Sequence, residues 1–404
     1  MTMSPEDVAR RLRAELDAVP VPERPWAAVR PALARRRHKR RAMGAVAAVA
    51  VVVLVAGLGL AAARVIGAGP GPSASPRAGS PRYYVQQTYP GTSGRPTRVV
   101  VRATATGRVT ATVSCPQPGT QIAPQGIAAT SNRLFFIDCQ KIHKVGAKYT
   151  VSRSWLYEAR LTGSGQVSDY SLVPGGVLGP HRLEGIGATL DGSQVAVTLG
   201  PSALYEFSSP SAPADVLVLN TKTGARAIWH GGPKVFSAGH FTFTGNGHEL
   251  KFVGAARCPQ AKRFGCEELR AVSPGTAGGQ LDSSRLLLRL SALVRSPAEY
   301  IEPAIITTGG STLTAVVQRN ENSVSSQSLW VIQYSAATGR QLRVLYRLPT
   351  GNGFSYGFLS SDPTGRHLLF DAGPASGQVN GWIDHGQLIR LKPAYGNFIA
   401  YETW

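Results

Sequence analysis

The stretch Asn397–Trp404, NFIAYETW, has the apolar alternation of a β-strand but no hairpin of its own, and Arg82–Tyr89, RYYVQQTY, is an equally solitary strand at the other end of the folded region. Between them the chain is a succession of hairpins in two alternating sets. The first set is AATSNRLFFI, ATLDGSQVAV, FTFTGNGHELKFV, ITTGGSTLTAV and LSSDPTGRHLLF. The second is VVVRATATGRVTATV, LYEARLTGSGQVSDYSLV, VLVLNTKTGARAIWH, LRAVSPGTAGGQLDSSRLLL, LWVIQYSAATGRQLRVLYRL and WIDHGQLIRL. Val, Ile, Leu, Phe and Tyr flank short turns of Asp, Asn, Thr and Gly, residues that accept the positive φ of tight hairpins. Corresponding positions recur at Ile127, Ile186, Phe241, Ala304 and Phe358. Four strands per unit at that period are expected of a β-propeller.

The imbalance between the sets is informative. Six hairpins of the second kind meet only five of the first. The two solitary strands supply the missing pair if the ring closes by zipping its first strand to its last, which also removes the open sheet edges that invite aggregation. The expectation is an all-β, six-bladed propeller with split-blade closure over residues 83–404, with five to seven blades compatible with the spacing. In each blade the second and fourth strands then end on one face. That face carries the long connections Asp138–Trp155, Leu199–Asp215, Gly254–Glu268 and Gln318–Ser328, and the opposite face carries tight turns.

The N-terminal part differs in kind. Met43–Ala63 is a run without charge, and at 1.5 Å per residue it reaches roughly 31 Å, the thickness of a bilayer core. Six Lys/Arg crowd Arg35–Arg41, while only Arg64, Arg77 and Arg82 follow nearby. The bias places the N-terminus in the cytoplasm and the bulk of the chain outside. An uncleaved anchor is preferred to a signal peptide because the arm exceeds an n-region and the apolar run exceeds an h-region. The organisation is therefore a basic cytoplasmic arm (1–41), a transmembrane helix (42–64), a Gly/Pro/Ser-rich linker (65–82) and an extracellular propeller. The arm opens with Ser4-Pro5-Glu6-Asp7, a helix start, followed by the stripe Val8, Leu12, Leu16 and Val19. Such a stripe needs a partner, either the inner leaflet or a cytoplasmic protein.

The formal net charge is +20. Beyond Arg64 the chain holds 31 basic and 18 acidic residues, about +13; over an exported domain that suits anionic lipid, an anionic envelope polymer or an acidic protein, and the scattering of the basic residues argues against nucleic acid. All four cysteines, Cys115, Cys139, Cys258 and Cys266, follow the anchor, so two disulfides are expected. Cys115 and Cys139 can meet between neighbouring blades, and Cys258 and Cys266 can close a short loop; the connectivity stays open.

Catalytic signatures are thin. Gly353-Phe354-Ser355-Tyr356-Gly357 matches GxSxG, but an elbow needs a helix after the serine and a later acid and histidine, and a hairpin follows instead. No HExxH, no calcium loop of the DxDxDG kind and no i, i+4 histidine pair occurs; no catalytic residue, cofactor or metal is assigned. His240 and His248 read as flanking a hairpin turn, and Glu158, Asp169, Glu184 and Asp191 as turn or rim residues. The candidate binding face consists of Lys141, His143, Lys144, Lys148 and Arg153, of Arg257, Lys262 and Arg263, and of Tyr205 and Phe207 between them.

LDGSQVAV, DPTGRHLLF and TKTGA resemble the TolB/WD40-like propellers, without the WD dipeptide or GH signature of true WD40 repeats. The layout of basic arm, single anchor, RYYV and VVRATATGRVTATV-type hairpin is similar to membrane-anchored propeller proteins of high-GC Gram-positive bacteria. That resemblance covers the whole chain and implies location and fold rather than an activity. The expected function is non-enzymatic binding or sensing of an envelope ligand or partner. The alternatives are an anti-sigma-like regulator whose residues 1–41 hold a cytoplasmic factor, and an envelope hydrolase.

Overall fold

A computed structural model of the chain describes residues 81–88, 97–130, 133–145, 148–201, 213–244, 247–255, 267–275, 277–294, 299–306, 310–320, 327–351, 357–361, 367–372, 379–384, 386–391 and 401–403. The arm, the run Met43–Ala63 and nearly all of the linker lie outside them. Among the described residues no helix is long and apolar enough to cross a membrane.

The strands form six sheets, antiparallel throughout except for one added strand. The first blade contains β1 (Tyr83–Thr88), β2 (Arg98–Ala103) and β3 (Val109–Val113). The second contains β4 (Thr120–Ala129), β5 (Leu134–Val145), β6 (Lys148–Leu161) and β7 (Val167–Gly179). The third contains β8 (Arg182–Ala188), β9 (Gln194–Gly200), β10 (Asp215–Asn220) and β11 (Arg226–His230). The fourth contains β12 (Ser237–Thr244), β13 (Glu249–Ala255) and β14 (Glu267–Val272); after the short β15 (Gly278–Gln280) it is completed by β16 (Arg285–Arg289). The fifth contains β17 (Glu299–Ile306), β18 (Thr312–Asn320), β19 (Gln327–Ser335) and β20 (Gln341–Gly351). The sixth contains β21 (Gly357–Ser361), β22 (Leu368–Ala372), β23 (Val379–Asp384) and β24 (Gln387–Arg390). Finally β25 (Tyr401–Thr403) returns to the first sheet, whose order is β25-β1-β2-β3. Tyr401 faces Gln87 and Thr403 faces Val85, so the two solitary strands of the sequence do pair. The fold is a six-bladed propeller closed through a split blade.

Local chemistry explains the hairpins. At the turns of the second set, Gly107, Gly224 and Gly339 sit at φ of 65°, 74° and 68° and donate their N–H to Ala103, Asn220 and Ser335, four residues back. Only glycine adopts that backbone readily. Asn220 Oδ1 also accepts from Lys222 N and Thr223 N, which closes the turn from its other side. In the first set Asp191 does the same, accepting from the Ser193 amide and hydroxyl. That amide holds the Asp191 carboxyl below its ordinary value.

The core lies between blades. Strand side chains alternate toward the two neighbours. Thus Phe135, Ile137 and Cys139 of β5 pack toward the first blade with Val85, Val99 and Val101, whereas Phe136 packs toward the third with Leu183, Val197 and Leu199. At the closing seam Tyr84 meets Leu369, Trp382 and Leu391.

Two departures from the sequence expectation stand out. The connection from β14 to β16 is not a tight turn: Gly278–Gln280 pairs in parallel with β11 of the third blade, making that sheet five-stranded. Gly278 is indispensable there, because at φ 102° a Cβ would fall 2.1 Å from the Ile228 carbonyl oxygen. Asp282 then accepts from Lys234 N and Val235 N, tying the blade-to-blade connection to this added strand. Second, the expected loop Asp138–Trp155 is itself a ribbon. β5 and β6 stay paired out to Val145 and Lys148.

Candidate functional site

Four innermost strands share one irregularity. The ladder slips between Ile122 and Ile127 in β4, Leu183 and Ile186 in β8, Gly239 and Thr242 in β12, and Ile301 and Ala304 in β17. Each bulge releases main-chain carbonyls from the sheet. Polar residues on the second strand of the preceding blade capture them. Gln87 Nε2 donates to Ala123 O at 2.9 Å, Gln140 Nε2 to Leu183 O at 3.3 Å, and Thr198 Oγ1 to Ala238 O at 2.6 Å. These buried residues therefore serve the ring, since a buried carbonyl without a donor is costly.

His240 occupies the β12 bulge at φ 51°, a strained backbone for a residue with a side chain. It lies within the innermost strand and does not flank the hairpin turn, as the sequence spacing implied; His248 does. Surrounding protein pushes its imidazole down to about 4, so it is neutral at pH 7. The adjoining Gly239 opens on free space: nothing lies within 4 Å of where its Cβ would be.

The ribbon carries the sequence-predicted cations. Lys141 stands directly opposite Arg153, and both are exposed. Ser152 bulges between this pair and the next, its hydroxyl donating to Lys141 O at 3.2 Å. Two positions along, exposed His143 faces Thr150, with Nε2 and Oγ1 3.1 Å apart. On the other side Val151 is buried and anchors the ribbon to the body. Lys144 and Lys148 belong to the same two strands, opposite Tyr149 and Val145. Like charges directly opposite in a ladder are unfavourable, and among the described residues neither Lys141 nor Arg153 has an ion-pair partner. The arrangement maintains uncompensated positive charge at a fixed position, which suits an anionic ligand.

The remaining candidates are not brought into this picture: Tyr205, Phe207, Arg257, Lys262 and Arg263, with Cys258 and Cys266, lie outside the described residues. Cys115 and Cys139 form a disulfide joining the segment after β3 to β5. Ser355 also lies outside the described residues, but Gly357, the last glycine of its motif, begins strand β21, where a nucleophile elbow would have a helix. Among the described residues no three His, Cys, Asp or Glu gather as a metal site. Glu158, expected at a turn or rim, sits mid-strand in β6, its carboxyl pushed up chiefly by burial.

No family model matches the chain, and no curated protein matches it. Solved structures similar to it include TolB from Acinetobacter baumannii, at 13% identity over 75% of this chain and 61% of that one, with a TM-score of 0.45. Prolyl oligopeptidase B from Galerina marginata, apo protein, is 13% identical over 77% of this chain and 40% of that one, with a TM-score of 0.42. This chain thus spans less than two thirds of either protein. The propeller is established by its own strand order and closure, and nothing about ligands or catalysis passes to it from those proteins.

Proposed function

We propose that the chain is a non-enzymatic propeller, anchored in a cell membrane by Met43–Ala63, whose loop-bearing face binds an anionic ligand of the envelope. The carrying observation is the exposed cross-strand pair Lys141–Arg153 on a paired ribbon that continues from the second blade. A flexible loop could scatter its charges, but a paired ribbon holds them together, and clustered cations attract polyanions and steer their approach. The Cys115–Cys139 disulfide supports a location outside the reducing cytoplasm.

The test is retention of the full-length protein, in detergent, on immobilised heparin or polyphosphate across a salt gradient. Lys141→Glu with Arg153→Glu is expected to shift elution to markedly lower salt. Retention that the double substitution leaves unchanged would refute the ribbon as the binding element.

A second reading rests on the capped, striped segment Ser4–Val19: the arm binds a cytoplasmic regulator while the propeller senses. Pull-down with the full chain and with a variant lacking residues 1–41 tests it; an identical set of captured proteins would remove it. An envelope hydrolase is the weakest reading, given the strand where the Ser355 motif needs a helix.

A further inference from the structure

Asp138 stands at the same register of its blade's second strand as Gln87 and Thr198, each counted five residues on from the turn residues Arg82, Arg133 and Ser193. Those turn residues accept the equivalent bonds from Thr104, Leu161 and Thr221. In the first and third blades this register places a hydrogen-bond donor against the next blade's bulge. Asp138 supplies two acceptor oxygens instead. The residue is fully buried, and neither oxygen has a hydrogen-bond partner. Two residues on, and so on the same side of β5, Gln140 gives its amide N–H to Leu183 O and leaves its buried Oε1 without a partner. Gly126, in the β4 bulge, makes room for the carboxylate: a Cβ there would fall 3.1 Å from Asp138 Cβ and 2.6 Å from Ala123 O.

Three acceptors are thus shut in the seam between the second and third blades, with bulged strands on both sides. The apolar cluster of the same seam includes Ala123, Phe136, Leu156 and Leu199. Burying an acceptor without a donor is unfavourable, and burying a bare carboxylate far more so. A bound cation would satisfy all three at once.

We propose that this seam holds a hard cation, bound by the Asp138 carboxylate, the Gln140 amide oxygen and main-chain carbonyls released by the β4 and β8 bulges. An all-oxygen set of this kind suits Ca2+ or an ion of similar size such as Na+, not zinc. The site lies at the foot of the ribbon. Cys139, between the two ligands, turns the other way and is tied to Cys115. The cation braces β5 against the third blade as the disulfide braces it against the first.

The competing account is a proton: burial alone pushes the Asp138 carboxyl well above the ordinary range. The experiment separates the two. Full-length protein in detergent is stripped with EDTA, exchanged into a buffer whose only cation is a bulky organic ammonium at pH 7.5, and titrated separately with CaCl2, MgCl2, NaCl and KCl. Heat of binding and thermal midpoint are recorded. The expected result is saturable binding of one ion with a rise in midpoint for Ca2+ or Na+. Asp138→Asn should abolish both effects, and Gln140→Leu should weaken binding at least tenfold. The wild-type titration alone decides the matter should a variant fold poorly. No saturable heat and no midpoint shift with any ion overturns the site and leaves Asp138 a buried neutral acid. So does binding that persists in Asp138→Asn.

Discussion

Strand β5 lies between two seams of unlike chemistry. Toward the first blade it presents Phe135, Ile137 and Cys139, an apolar set ended by a covalent bond. Toward the third it presents Phe136 and then Asp138 and Gln140, an apolar start that turns polar beneath the bulges. The first seam is fixed whatever the solution contains, as long as the thiols stay oxidised. The second depends on what satisfies its acceptors. One strand is thus held permanently on one side and conditionally on the other, and the ribbon that carries Lys141 and His143 is its continuation.

The comparison is most severely tested in the shared apolar layer. Phe136→Ala is expected to lower unfolding free energy by about 3–5 kcal/mol, read from urea denaturation. Phe135→Ala should match it, since both rings are fully buried; a large inequality would mean that the seams differ in packing as well as in polar chemistry. Next is the covalent side. Replacing Cys115 and Cys139 by Ala opens a loop of sequence separation 24, which lowers stability by about 3.5 kcal/mol in the chain-entropy model. Adding reductant should destabilise the wild type by this much more than it does the variant, which retains Cys258 and Cys266.

The conditional side is read by pH in cation-free buffer. Asp138 is raised when folded, so its contribution is complete below the unfolded value near 4 and is lost as pH rises toward the folded value. His240 is depressed to about 4, so its contribution is complete above about 6.5 and is lost as pH falls toward 4. Between about 4 and 6.5 the two slopes oppose each other. Asp138→Asn should leave a stability curve that rises through this window, and His240→Gln one that falls. Identical curves for both variants would contradict the assignments. The smallest effect is on the ribbon. Lys141→Ala relieves the like-charge pair and should stabilise the fold by about 0.2–1 kcal/mol while weakening polyanion retention.

Much of this architecture could be read from the chain because hairpins advertise themselves. Thr-x-Thr-Gly at 104–107 and 221–224 and Asp-Gly at 191–192 have conformational needs visible in single letters. The closure was legible because it left NFIAYETW and RYYVQQTY without partners. The meeting of Cys115 and Cys139 followed from which strand ends share a face. The bulges were not legible, since Leu183-Glu184-Gly185-Ile186 reads equally well as regular strand. Their consequence, the donor ring of Gln87, Gln140 and Thr198, was hidden with them. Asp138 was passed over for a related reason. A carboxylate after LFFI signals the start of a solvated loop, and the sequence offers no sign that β5 continues beyond it. Lys148–Trp155, KYTVSRSW, does alternate, and that signal would have shown the ribbon. The added strand β15 is Gly-Gly-Gln, which no propensity marks as extended; tertiary pairing with β11 makes it so.

The pairing of Gln87 with Tyr401 has a consequence for how the molecule is made. During translation β1 appears ahead of every other strand of the ring and waits, one edge bare, until more than three hundred further residues have left the ribosome. A product stopped short of Tyr401 keeps that edge exposed to pairing with other chains, so the last strand also guards the first.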